Sequence, residues 1–212
     1  MKKRFFWGIP LWIGILAGLC LSWPEPSGVP KAGLWTLDVT YEHPSQIQIR
    51  QGGKPVSYWY MILSLTNNTA VEEVPFYPRF ELVTDTFQVL PAGGVVERQL
   101  FDIVKKKYEG KYPFLESLDF TDNRIRRGVD NTRDFVVFWR DFDPKADQVE
   151  FYLAGLSNET AAIEHPVEKD SAGNPLKVYL QKTLQLTYTV SSDPALRQQT
   201  PLRFRSQDWV MR

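Results

Sequence analysis

Apolar and polar positions alternate along most of this chain. Over 34–41, Trp35, Leu37, Val39 and Tyr41 fall on one face, with Thr36, Asp38 and Thr40 on the other. A period of two marks a half-buried strand. It recurs weakly over 46–50 through Ile47 and Ile49, and Gly52-Gly53 then supplies a turn. Over 56–66 the signal is strongest: Trp59, Met61, Leu63 and Leu65 share one face, while Tyr58, Tyr60 and Ile62 make the other face apolar too. A strand apolar on both faces is expected at the centre of a sheet. Further strands are read at 80–83, 86–90, 134–139, 149–153, 178–190 and 202–211, with turns at 67–69, 141–147, 155–158 and 169–175.

The rhythm breaks over 91–130. Leu100, Val104 and Tyr108 are four apart with Ile103 beside them, which is helical spacing. Lys105, Lys106 and Lys107 make a cationic last turn and Gly110 stops it. Arg124, Arg126 and Arg127 read as a basic loop. The whole stretch is expected as an insertion at one end of a β domain. Eight or nine strands at short spacing with one helical insertion predict a mainly β chain, an immunoglobulin-like β-sandwich, with a closed barrel as the alternative.

The N-terminus follows another rule. Lys2, Lys3 and Arg4 precede nineteen residues, 5–23, without a formal charge. As a helix this run spans roughly 28 Å, close to the ~30 Å hydrocarbon layer. Cations before an apolar run hold the N-terminus in the cytoplasm and send the rest across. The run is longer than an ordinary secretory core, and the small-residue pairs Gly18/Cys20 and Cys20/Ser22 are poor cleavage sites. An uncleaved transmembrane anchor is therefore placed ahead of a cleaved signal peptide. Residues 24–33, with three prolines, read as a semi-rigid linker, and 34–212 as the exported domain, membrane-anchored or periplasmic/secreted.

Composition narrows the chemistry. The only cysteine, Cys20, lies in the leader, so the 189 residues after position 23 must be stable without a disulfide and lack thiolate chemistry. Without Lys2, Lys3 and Arg4, the balance is 22 basic against 25 acidic residues, about −3, which gives no nucleic-acid footprint. The two histidines, His43 and His165, each precede a proline, and no metal or cofactor motif accompanies them. Asp141, Asp143 and Asp147 lack the spacing of a calcium loop and read as turn chemistry. No nucleophile elbow or phosphate loop occurs. Asn67-x-Thr69 and Asn158-x-Thr160 fit a glycosylation pattern.

Two stretches carry a resemblance. Tyr58-Trp59-Tyr60 leading to Leu65-Thr66-Asn67-Asn68-Thr69, then Pro75-Phe76-Tyr77-Pro78, resembles exported bacterial domains in which a strand ends in a Thr-Asn-Asn turn. Phe138-Trp139-Arg140-Asp141-Phe142-Asp143-Pro144 followed by 151–157 is similar to a motif of uncharacterised exported proteins with immunoglobulin-like sandwiches. The resemblance spans about half the chain. It implies fold and location and carries no activity.

The expected function is thus a non-catalytic binding or scaffolding module at the cell envelope, without a cofactor. Its partners would be an envelope protein or polysaccharide, and the membrane itself through an uncleaved N-terminal helix. The candidate contact residues are Trp209, Lys105, Lys106, Lys107, Arg124, Arg126 and Arg127. A carbohydrate-binding module using exposed aromatics is the alternative, and a hydrolase with two carboxylates on the insertion is the second. The leader reading makes a direct prediction. Mass spectrometry of fractions from the native cell should find the full-length chain in the membrane. A chain starting near residue 21–33 in the soluble fraction would mean cleavage, and an intact soluble chain would contradict export.

Overall fold

The structure, a computed structural model, describes residues 26–93, 98–118, 122–191, 193 and 200–212. The expected leader lies outside the described residues. Among the described residues no helix is long and apolar enough to cross a membrane.

The chain is mainly β, with strands β1 (Ser27–Gly28), β2 (Asp38–Tyr41), β3 (Ser45–Gln51), β4 (Lys54–Thr66), β5 (Glu73–Pro75), β6 (Arg79–Thr84), β7 (Val89–Pro91), β8 (Glu116–Ser117), β9 (Arg124–Arg126), β10 (Arg133–Arg140), β11 (Gln148–Ala154), β12 (Thr160–Lys169), β13 (Pro175–Thr189) and β14 (Arg203–Met211). Among the described residues there is one α-helix, α1 (Arg98–Tyr108), which separates β7 from β8. Two larger sheets share one core and neither closes on itself, so the barrel alternative does not hold.

The first sheet is built on β4. β10 pairs antiparallel along one edge of β4, Tyr58–Leu65 against Arg133–Arg140. β2 and β3 divide the other edge between them, pairing with 63–66 and 54–60. β8 adds a short parallel pairing on the far side of β10. In the second sheet the order is β1-β12-β13-β11-β6-β7, with β14 also on β13. β11 and β12 lie end to end on one edge of β13, because Gln148 pairs with Thr189 and Thr160 with Gln181 in a single antiparallel direction. β14 takes the opposite edge. The strand segments outnumber the eight or nine expected, since long ladders are interrupted and several pieces are two or three residues long. β12 escapes the sequence pattern because its outer half is exposed and Pro166 interrupts it.

Alternation in β4 works as its sequence demands. Trp59, Met61, Leu63 and Leu65 point into the main core with Phe135, Val137 and Trp139 of β10. Facing them are Phe80 and Leu82 of β6, Val149, Phe151 and Leu153 of β11, and Leu184, Leu186 and Tyr188 of β13. Tyr60 and Ile62 point the other way with Val136 and Phe138, and α1 covers them with Leu100 and Val104. The sequence pattern places the insertion at one end of the domain. Its helix lies instead across the outer face of the β4–β10 pair, because that face is apolar and needs burial. Ile103 is not on the buried side: it is 41% exposed, and Phe101 and Tyr108 pack in its place.

Residues 27–33 run against the domain. β1 pairs with Ala161 and Ala162, Val29 N donates to Thr160 O at 3.0 Å, and Asn158 Nδ2 donates to Gly33 O at 2.9 Å. Both asparagines of the glycosylation pattern serve as struts. Asn67 is fully buried, its amide donating to Val71 O and Ile125 O and its Oδ1 accepting from Thr69.

The break between β11 and β12 turns on Gly155, whose φ is +91°. A Cβ there would lie 2.5 Å from Tyr77 O and 3.1 Å from Pro78 Cα, both backbone atoms that cannot swing aside. Gly155→Ala is therefore expected to destabilise the domain by at least roughly 2 kcal/mol, combining left-handed strain with the clash. Urea unfolding of the two proteins measures it.

Candidate functional site

The candidate residues fall in three places. The first is the outer helix. Between α1 and β8 runs a groove of about 780 Å³ lined by Arg98, Phe101, Asp102, Lys105, Leu115, Glu116 and Ser117. Leu115 is buried and Phe101 half-buried, giving an apolar floor, while Arg98, Asp102 and Lys105 are exposed on the rim. Lys105 Nζ sits 5.5 Å from the centroid of the Phe101 ring. The three lysines do not act as one patch. Lys107 turns back onto the sheet, donating to Tyr60 Oη at 2.8 Å and lying over the Tyr60 and Tyr108 rings. Lys106 is exposed on the same last turn.

Two carboxylates line this groove, but they are not equivalent. Arg133 grips Glu116 through both oxygens, with Nε to Oε1 at 3.0 Å and Nη2 to Oε2 at 2.5 Å. The same guanidinium bonds Asp122 and donates to Arg124 O at 2.9 Å. That cation holds the Asp122 carboxyl below the usual range. Glu116 is thus a fixed strut, and Asp102 is the groove's other carboxylate.

The arginines form the second place. Arg124–Arg126 is not a loop but strand β9, paired with β5 so that Glu73 faces Arg126 and Val74 faces Ile125. Ile125 enters the main core, which forces Arg124 and Arg126 to the surface. Arg124 Nη1 lies 3.1 Å and Arg126 Nε 3.6 Å from the Glu73 carboxylate, and Arg127 Nη1 lies 3.8 Å from Glu72. The expected basic loop is an ion-paired ladder. Its acids are the adjacent pair Glu72-Glu73, the one sequence signal that could have shown the arginines to be partnered.

Trp209 marks the third place, the seam where β14 meets β2 of the facing sheet. Tyr41 Oη donates to Gln207 Oε1 at 2.9 Å across this seam. His43 sits between Tyr41, Tyr188 and Phe204, with its Nδ1 3.0 Å from Tyr188 Oη. Burial raises the Tyr188 and Tyr41 hydroxyls above the ordinary phenol range. Trp209 is 38% exposed, and Lys182 Nζ lies 5.3 Å from its ring centroid. Lys182 is anchored in turn by Glu159 at 2.6 Å, which Thr36 Oγ1 also bonds at 2.9 Å. Trp35, Trp59 and Trp139 are core residues, so of the four tryptophans after the leader read from the sequence as a sugar platform only Trp209 is accessible.

Other candidates serve local structure. His165 Nδ1 accepts from Glu168 N at 2.8 Å. Asp141 accepts from Trp59 Nε1 at 2.7 Å and from Phe142 N, closing a turn in which Phe142 stacks on Trp59. Among the described residues, no group of three or more His, Cys, Asp or Glu stands where it could hold a metal ion. The lysine, arginine and tryptophan sites lie on separate elements, α1, β9 and β14.

The Lys182 ammonium holds the Glu159 carboxyl below its ordinary value. A lowered carboxylate contributes stability above its unfolded pKa, about 4.3, and loses it as pH falls through the folded value. Glu159→Gln should therefore unfold at a lower temperature than the parent near neutral pH, by under about 1 kcal/mol of stability. The two should converge only well below about pH 4, as thermal denaturation across a pH series would show.

Comparison with protein-family models, with curated proteins and with solved structures gives no match to this chain.

Proposed function

We propose that the chain is a non-catalytic binding or scaffolding module held outside the cytoplasm. In this reading the two sheets form an immunoglobulin-like sandwich and the leader carries it to the cell envelope. The groove between α1 and β8 carries the proposal. A floor of Phe101 and Leu115 with Arg98, Asp102 and Lys105 on the rim joins apolar contact to a few directing charges, the usual build of a binding cleft. Its volume, about 780 Å³, suits a short peptide segment of an envelope protein or a few sugar units. The carboxylate-dependent hydrolase reading would use Asp102 and Glu116 in this same groove. Arg133 occupies both oxygens of Glu116, so that acid is already committed, and binding is the better reading.

A photo-crosslinker at Lys105 of the full chain, activated in native membranes, tests this. One discrete envelope partner should be captured, and Phe101→Ala should reduce that capture at least roughly tenfold, the factor for about 1.4 kcal/mol. Capture of nothing, or capture unaffected by Phe101→Ala, would overturn the assignment of the groove.

A further inference from the structure

β14 is a nine-residue strand that pairs with β13 and, among the described residues, with nothing on its other side. An exposed strand edge is a template for another strand, which proteins commonly block with charges or a bulge. β14 has both, and here their placement gives the edge a two-fold symmetry.

The backbone parity is fixed by its hydrogen bonds. Gln181 and Arg212 exchange bonds, N to O in both directions, so Arg212, Val210, Asp208 and Ser206 turn their backbone groups to β13. Trp209 and Gln207 then turn theirs outward. The register slips between Thr187 and Tyr188, where Thr187 faces Ser206 but Tyr188 faces Phe204, making Arg205 the extra residue. Beyond this bulge Arg203 pairs with Thr189 and turns to β13, which leaves Phe204 turned outward. The outward backbone positions Phe204 and Gln207 thus lie symmetrically about the Arg205–Ser206 bond.

Side chains follow the same symmetry. Phe204 and Gln207 lie opposite Tyr188 and Leu186 and point toward the facing sheet. Asp208 and Ser206, opposite Gln185 and Thr187, point to the outer face. Arg205 Nε donates to Thr189 Oγ1 at 3.0 Å, which places it on that outer face, as the register places Arg203. Read in either direction from the centre, the order is out, in, out. Arg203 and Asp208 are both exposed, and neither has an ion-pair partner among the described residues.

We infer that β14 is a self-complementary edge that pairs antiparallel with β14 of a second copy of this chain, the two-fold axis passing through the Arg205–Ser206 bond. In that register Phe204 faces the partner copy's Gln207 as a hydrogen-bonded pair. Arg203 faces Asp208 of the other copy, and the reverse pair forms by symmetry, giving two opposite-charge cross-strand pairs on one face. Trp209 is the diagonal neighbour of Phe204 across the junction, within reach of an aromatic side chain. A two-fold contact of this kind is isologous and closed, so it stops at a dimer with a continuous sheet. The inference is independent of the groove at α1.

The full chain in detergent, measured by sedimentation velocity, tests it by charge reversal. Arg203→Asp puts two like pairs of carboxylates in the junction, and Asp208→Arg two pairs of arginines. Each variant alone should dimerise at least roughly tenfold more weakly than the parent. Mixed one to one, they should form a heterodimer. The aspartate introduced at position 203 of one chain then faces the arginine introduced at position 208 of the other, and the unaltered Asp208 of the first faces the unaltered Arg203 of the second. The double variant Arg203→Asp/Asp208→Arg should recover the parent's self-association. Gln207→Pro, which removes an outward N–H without touching the β13 ladder, should leave a folded monomer. A parent monomeric up to about 100 μM would overturn the inference. So would single variants that associate like the parent, or a mixture that does not associate. If Arg205→Asp rather than Arg203→Asp is the variant that Asp208→Arg rescues, the register is overturned.

Discussion

The rest of the structure depends on one pairing, β4 against β10. Both strands are apolar on both faces, so a single sheet with one solvated side cannot accommodate them. Their inner face is buried by the second sheet. Their outer face needs its own cover, and α1 supplies it with Leu100 and Val104, both fully buried. Each such side chain contributes roughly 1.5–3 kcal/mol by leaving water. The insertion is therefore not an ornament on a finished sandwich. It completes the core, and the groove at its flank exists because a helix laid on a sheet leaves a channel beside its last paired strand, β8.

Electrostatics follow from the same arrangement. Burying Ile125 in the core turns Arg124 and Arg126 to the surface opposite Glu73, and Arg133 ties β10 to Glu116 of β8 and to Asp122. Lys111 and Tyr112, just past the helix, bond Glu42 and lower its carboxyl pKa, fastening the insertion to the turn between β2 and β3. The exposed pairs among these, Arg124 and Arg126 with Glu73 and Lys111 with Glu42, add little stability one by one. They fix where the covering pieces sit. The one buried side-chain N–H without a hydrogen-bond partner among the described residues is Trp139 Nε1, in a ring that meets Phe151 edge to face at 5.0 Å.

Much of this was legible in the residues. The double-faced run in β4, the alternation of β13 and the helical spacing of Leu100 and Val104 report burial directly, and burial is what periodicity encodes. What the pattern missed was set by neighbours distant in sequence. Ile103 looked as apolar as Val104, but the sheet beneath the helix meets Phe101 and Tyr108 instead. Three arginines looked like a free cationic loop, because nothing local reveals that Glu72 and Glu73, some fifty residues earlier, lie alongside. Trp209 could be picked out as exposed. Lys182 beside it, and Tyr41 and His43 beside Gln207 and Phe204 of the same strand, come from distant parts of the sequence, so no spacing rule gathers them.

Hydrogen exchange of the backbone amides in β4 and β10 tests the dependence on the helix most directly, comparing the parent with Val104→Asp. A carboxylate at the fully buried Val104 position should lift α1 from the sheet. The prediction is that amides over 58–65 and 135–139 then exchange at least roughly thirtyfold faster, the factor for about 2 kcal/mol of lost protection. Unchanged protection in β4 and β10 would contradict the claim that the helix completes their burial.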